Sequence, residues 1–294
     1  MKPRLIKIFS ILTILILLVS QTDFIKGLLR PSTAYAVAGL LIDWGVTPGD
    51  PIFVITDIVP GDTESRTVQI HNGSTDTVPV GIRGMEVSQT GNLATALDIT
   101  ISANSTPVYG SASPTGPKTL RQFFDEAPIP SFIPLSNLTP NHNVTYEVTV
   151  TFRQSAGNQF QAKNITFDLR IGPAIPVPEA CKKIIFINEP VYGTKNNDII
   201  NGTNGNDMIF AFKGNDIINA KSGNDCIVAD QGNDIINAGD GNDVAFGDDG
   251  NDIIKGEKGN DILYAGKGND ILNGGAGNDS CSGGKIQTSC EINL

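Results

Sequence analysis

Gly232-Asn233-Asp234-Ile235-Ile236-Asn237-Ala238-Gly239-Asp240-Gly241-Asn242-Asp243 contains one full period of a pattern that occurs ten times in the last third of the chain. Its aspartates are Asp198, Asp207, Asp216, Asp225, Asp234, Asp243, Asp252, Asp261, Asp270 and Asp279, at a strict spacing of nine. All but the first follow Gly-Asn; the first reads Asn196-Asn197-Asp198. Each precedes a short, mostly apolar pair such as Ile217-Ile218 or Ile262-Leu263. A fixed nonapeptide with glycine and aspartate in its turn marks a parallel β-helix or roll. Composition bias alone does not hold a register over ten units.

The unit has a physical logic. A parallel solenoid alternates tight turns with short strands. Glycine reaches backbone angles that cost other residues energy, and asparagine and aspartate tolerate the same left-handed region. Two residues after each aspartate stands Ile200, Ile209, Ile218, Ile227, Ile236, Ala245, Ile254, Leu263, Leu272 or Cys281. This nearly invariant aliphatic row is the interior seam, because strand side chains alternate faces. Aspartates one coil apart then stack about 4.8 Å from one another. Such carboxylates repel unless a cation lies between them. Calcium takes six to eight oxygens from carboxylates and carbonyls in flexible geometry.

The segment from Tyr192 to Gly284 resembles the RTX repeat family, whose unit reads Gly-Gly-x-Gly-x-Asp-x-(large aliphatic)-x. The resemblance implies a calcium β-roll of two parallel sheets. Its ions would lie between an aspartate and carbonyls of one turn and their counterparts one coil on. Carried over, the pairs run from Asp198 with Asp216 to Asp261 with Asp279, about eight sites. The first two glycines of the unit are often replaced, as in Ala211-Phe212, Ala220-Lys221 and Ala229-Asp230. The Phe212 and Lys221 turns are therefore expected to be weak or empty.

With two nonapeptides per coil, alternate units fall on opposite sheets. The residue three after the aspartate is then Asn201, Asn219, Asn237, Lys255 and Asn273 on one sheet, an outward polar ladder. The other sheet presents Met208, Phe210, Val228, Val244, Phe246, Ile262 and Tyr264, an apolar stripe that calls for a cover. From Asn196 onward there are sixteen acidic residues and six lysines, which accounts for the whole-chain balance of −10. Such an array is expected to fold only as calcium neutralises it. It has no basic stripe or aromatic platform for nucleic acid.

Lys2, Arg4 and Lys7 precede an apolar run from Ile8 to Val19, the form of a signal peptide, and Ala34-Tyr35-Ala36 offers a cleavage site. Residues 1–36 are read as that leader, with membrane attachment only if it stays uncleaved. An extracellular or cell-surface location follows, and cysteine usage agrees. Of three possible pairings, Cys226 with Cys281 would span three strands, about 14 Å. A disulfide needs α-carbons within about 7 Å. The expected bonds are therefore Cys281–Cys290, stapling a cap, and Cys181–Cys226, laying the incoming chain across the apolar stripe.

Residues 37–171 read as an antiparallel β-sandwich, and Pro173, Pro176 and Pro178 mark residues 172–180 as a stiff linker to the roll of residues 181–294. Val144, Tyr146, Val148, Val150 and Phe152 alternate with polar residues, as do Ile165, Phe167, Leu169 and Ile171. Further strands are expected at 52–58, 67–71, 78–87 and 97–101. Val59-Pro60-Gly61-Asp62, Val68-Gln69-Ile70-His71-Asn72 and Ile165-Thr166-Phe167-Asp168 resemble the camelysin and biofilm-fibre-protein family of exported surface sandwiches.

The fold class is all-β. The expected function is a secreted or surface calcium-binding protein with an adhesion or matrix role and a cell-surface or matrix partner. It is read as no enzyme: there is no His-Glu-x-x-His or Gly-x-Ser-x-Gly, and His71 and His142 lack acidic neighbours. The alternatives are a secreted enzyme whose repeats assist export, and a binder of polysaccharide or ice that uses the asparagine ladder.

Overall fold

The computed structural model describes residues 40–44, 51–56 and 59–293. The expected leader over residues 1–36 lies outside them. The described chain forms four sheets, two antiparallel and then two parallel.

The amino-terminal strands are β1 (Leu40–Asp43), β2 (Phe53–Ile55), β3 (Thr63–Asn72), β4 (Val78–Gln89), β5 (Leu97–Ala103), β6 (Thr106–Tyr109), β7 (Lys118–Thr119), β8 (Ile133–Leu138), β9 (Asn143–Phe152) and β10 (Ile165–Pro173). One sheet runs β1-β3-β9-β5-β6, with β7 also on β5; the other runs β2-β10-β4-β8. The alternation read in β9 and β10 is the burial pattern observed, with Val144, Tyr146, Val148, Val150, Phe152, Ile165, Phe167, Leu169 and Ile171 all in the core. Phe167 stacks on Phe53 at 4.6 Å and meets Phe124 edge-on at 5.6 Å.

Phe124 belongs to a helix that the strand reading did not contain, α1 (Leu120–Glu126). It begins with a capping box between Thr119 and Gln122, and Leu120, Phe123 and Phe124 fall on one buried face. Gly84 of β4 makes room for it: a Cβ there would lie 2.4 Å from Phe123. Both histidines make local side-chain bonds, one at the end of β3 and one in the turn before β9. His71 Nδ1 pairs with Asn143 Oδ1 at 2.6 Å, and His142 Nδ1 lies 3.0 Å from Thr139 Oγ1.

The carboxy-terminal third winds into a parallel solenoid. One sheet comprises β11 (Val191–Tyr192), β13 (Met208–Phe210), β15 (Cys226–Val228), β17 (Val244–Phe246), β19 (Ile262–Tyr264), β21 (Ser280–Ser282) and β23 (Ile292–Asn293). The facing sheet comprises β12 (Ile199–Asn201), β14 (Ile217–Asn219), β16 (Ile235–Asp240), β18 (Ile253–Lys258), β20 (Ile271–Ala276) and β22 (Ile286–Thr288). Each strand pairs in parallel with the one a full coil away, as Ile200 with Ile218 and Ile209 with Ile227. The seam from Ile200 to Cys281 is the core, completed by Ala211, Ala220, Ala229, Ala238 and Ala265.

The outer faces differ from each other. Met208, Phe210, Cys226 and Val244 are buried with Cys181 and Phe186, and Ile175, Val177 and Ile184 pack on them, so the segment leading into the roll is the cover. The disulfides are Cys181–Cys226 and Cys281–Cys290, each with α-carbons 5.8 Å apart. Beyond this cover, Phe246 and Tyr264 stack at 4.7 Å. The face expected to be a polar ladder is mixed. Beside Asn201, Asn219, Asn237, Lys255 and Asn273 runs a parallel row of exposed isoleucines, from Ile199 at 76% to Ile271 at 39%. Reading only the third residue after each aspartate overlooked the first, which shares its face.

The two halves meet at a buried cation. Arg83 of β4, 1% exposed, forms an ion pair with Glu189 of the segment leading into the roll and lies 4.7 Å over the ring of Phe132. Lys213 and Asp76 pair across the same junction at 3.3 Å.

Candidate metal centres

Counting the periodic aspartate as the sixth residue of its unit, the turn is built at the second and fourth positions. The fourth is glycine, in most turns in left-handed backbone, at φ +128° in Gly214, +141° in Gly232 and +151° in Gly268. A Cβ on Gly232 would lie 1.5 Å from the carbonyl oxygen of Gly214 one coil before, so no other residue fits. The second position is also left-handed but carries Phe212, Lys221, Asp230, Asp248 and Glu257. Each such residue strains the backbone by about 1–2 kcal/mol.

The asparagine and aspartate of the Gly-Asn-Asp triplet do not occupy that left-handed region. Their conservation of type along the array comes from side-chain bonds between coils. Each asparagine Oδ1 accepts the backbone N–H of the asparagine one coil on, as Asn233 to Asn215 at 2.7 Å and Asn242 to Asn224 at 2.7 Å. Each aspartate Oδ1 accepts the N–H of the aspartate one coil before, as Asp198 to Asp216 at 2.7 Å and Asp234 to Asp252 at 2.8 Å. The invariant residue before each aspartate was the sequence signal for this ladder.

The second carboxylate oxygen has a different fate. In Asp216, Asp225, Asp234, Asp243, Asp252, Asp261, Asp270 and Asp279, Oδ2 is buried without a hydrogen-bond partner. These side chains are at most 1% exposed. Where the first residue of the turn is glycine, Oδ2 faces it together with a carbonyl of the next coil. A Cβ on Gly256 would lie 2.2 Å from Asp261 Oδ2 and 2.4 Å from Gly274 O; on Gly247 it would lie 2.5 Å from Asp252 Oδ2 and 2.6 Å from Ala265 O. A buried carboxylate without compensation costs several kcal/mol. A partnerless carboxylate oxygen and a carbonyl oxygen facing one small space are the donors a hard cation takes. Among the described residues no three histidine, cysteine or carboxylate side chains converge on one point. The turns bring carboxylates together in pairs, so backbone carbonyls would fill the rest of the shell. The residues fit calcium at these turns.

Burial pushes these carboxyls above their ordinary range. Asp225 rises to about 8, Asp243 to about 7, and Asp234, Asp252 and Asp261 to about 6. Desolvation is the main cause, and carboxylates on adjacent coils add to it against the lowering by the N–H bond. Asp216 shifts the same way, again chiefly by burial.

The first two turns are closed by the chain itself. Thr194 N–H donates to Asp198 Oδ2 at 2.6 Å, and Thr203 N–H to Asp207 Oδ2 at 2.6 Å, with both hydroxyls adding bonds. Lys221 places its ammonium 2.5 Å from the carbonyl of Gly202, the turn that Asp207 belongs to. Phe212 packs with Tyr192 and Phe210. Of the acids outside the period, Asp240 pairs with Lys258 and Asp249 with Lys267, each at 2.9 Å on the surface.

Residues 192–227, 222–254 and 246–281 match the family model of the RTX calcium-binding nonapeptide repeat. A parallel solenoid with these turns is thus an RTX repeat domain, a calcium-binding module. The match lies wholly within the roll, so the resemblance of the sandwich rests on its own motifs. No curated protein matches the chain.

Proposed function

We propose that this is a non-enzymatic, extracellular protein whose roll folds as it takes up several calcium ions, presenting a rigid module beside a metal-independent sandwich in adhesion or matrix assembly. The observation that carries this reading is the set of eight buried, partnerless Oδ2 atoms repeated in register. Calcium at each would neutralise a carboxylate pair and join neighbouring coils, so binding and folding are one event. Two disulfides favour an oxidising compartment. Among the described residues no helix is long and apolar enough to cross a membrane. Far-UV circular dichroism of the full chain against free calcium tests the reading. A β signal that rises with calcium in the millimolar range of extracellular modules is expected. A spectrum indifferent to chelator after thorough dialysis would sink it. A protease and glycosidase screen is expected to be blank.

A repetitive-surface binder is the second reading, and the mixed face favours it more than a polar one did. Isoleucine and asparagine rows in register offer apolar and amide groups at one fixed spacing. Glycan-array binding lost on Ile235→Asp with the calcium response intact would support it.

A further inference from the structure

The aspartate ladder does not stop at its last periodic member. From Asp198 to Asp261 each backbone N–H reaches the aspartate eighteen residues on, ending with Asp261 to Asp279 at 2.9 Å. For Asp279 the acceptor is Glu291, only twelve residues further, with Oε2 at 2.7 Å. Strand pairing sets Ser280 opposite Ile292, which puts Glu291 level with Asp279, although the backbone bond there is shifted by one residue. Asp261 O accepts the N–H of Ser280 at 2.8 Å, and Asp279 O accepts that of Glu291 at 3.0 Å.

The carbonyl of the next coil also has its counterpart. A Cβ on Gly274 would lie 2.0 Å from Ser289 O and 2.6 Å from Asp279 Oδ2, the arrangement seen at Gly256 with Gly274 O and Asp261 Oδ2. Ser289 takes left-handed backbone, φ +50°, to aim that carbonyl. Asp279 is 0% exposed, and its Oδ2, turned into this space, has no partner. The Cys281–Cys290 disulfide draws the short loop back over the last coil, and the extra methylene of glutamate reaches where an aspartate would stand a full coil on.

We propose that Asp279, Glu291 and the Ser289 carbonyl complete a further calcium site, outside the nonapeptide period, that seals the carboxy-terminal end of the roll. It rests on the reading that the periodic turns bind calcium. It also alters the place of Asp279, which closes the series in the sequence but stands between two sites in the fold.

The test is calcium stoichiometry of the oxidised, metal-stripped full chain by equilibrium dialysis, for wild type, Glu291→Gln and Asp243→Asn. Glutamine keeps the acceptor for Asp279 N–H and removes the charge. Glu291→Gln is expected to bind one ion fewer than wild type, with an unchanged β signal at saturating calcium. Unchanged stoichiometry and affinity in Glu291→Gln, alongside a loss in Asp243→Asn, overturn this site and leave the calcium roll standing. A wild type that binds no calcium overturns the underlying reading instead. If Glu291→Gln fails to fold, Cys281→Ser/Cys290→Ser decides: freeing the loop must cost the same single ion, and full retention refutes the site.

Discussion

The sandwich and the roll are both β-structure, yet they are held together by different means. The sandwich encloses large side chains between two sheets, with Phe53, Phe123, Phe152, Phe167, Tyr109 and Tyr146 fully buried. The roll encloses a single file of isoleucine, leucine and alanine between strands of mostly three residues. Its buried polar groups outnumber those of the sandwich, and nine of them are aspartates. Apolar burial at about 25 cal/mol per Å² can sustain the first kind of core unaided. The second must also meet the cost of its carboxylates. On the proposed reading, one region folds by excluding water and the other by including an ion.

The largest expected effect separates the two directly. Chelation should abolish the protease resistance of residues 192–281 and leave the 40–173 fragment intact. Loss of both together would show that the Arg83–Glu189 junction binds them into one cooperative unit. Next come core truncations. Phe167→Ala should destabilise the sandwich by about 3–5 kcal/mol at any calcium level. Ile227→Ala, deep in the seam, should appear mainly as a raised calcium midpoint; a calcium-dependent Phe167→Ala would erase the distinction.

Within the roll, Asp243→Ala should remove up to two ions and raise the midpoint several-fold, because it faces coils on both sides. Asp249→Ala should cost little, because its carboxylate makes a surface ion pair with Lys267. Equal damage from the two would mean that the nine-residue register does not position the ligands. Acidity gives a smaller, graded effect. The metal-free roll holds carboxyls whose pKa values, about 6 to 8, exceed the unfolded value of about 3.9. Its stability is therefore greatest below about pH 4 and falls as pH rises through 6 to 8. Calcium must displace those protons, so its affinity should rise over the same interval. A midpoint flat between pH 5.5 and 8 would contradict the burial of these groups. The smallest change is Glu257→Gly, which relieves left-handed strain and should stabilise the calcium-bound roll by about 1 kcal/mol.

Periodicity made the roll readable. Ten copies of one turn average away local accidents, so the sheets and the seam follow from register, which also rules out a Cys226–Cys281 bond. What escaped lies where the period breaks. Glu291 is twelve residues from its partner, not eighteen, because a disulfide shortens the last coil, and no spacing rule contains that. Thr194 and Thr203 were visible as departures at the second position, but their bonding to Asp198 and Asp207 is a matter of three dimensions. In the sandwich, alternation located the long central strands. The capping box of α1 was written in Thr119 and Gln122, yet its apolar residues were absorbed into a β reading.

The Cys181–Cys226 bond fixes one point of the roll to the chain that leads into it. From Cys226 to Cys281 runs a glycine-rich stretch whose ends, in the roll, sit three strands apart, about 14 Å. Unwound, a flexible chain of that length has a root-mean-square span of about 40 Å. Calcium would then act as a winch, reeling some 25 Å of slack onto a spool whose axle is already bolted down, and whatever the far end grips would be hauled toward the sandwich.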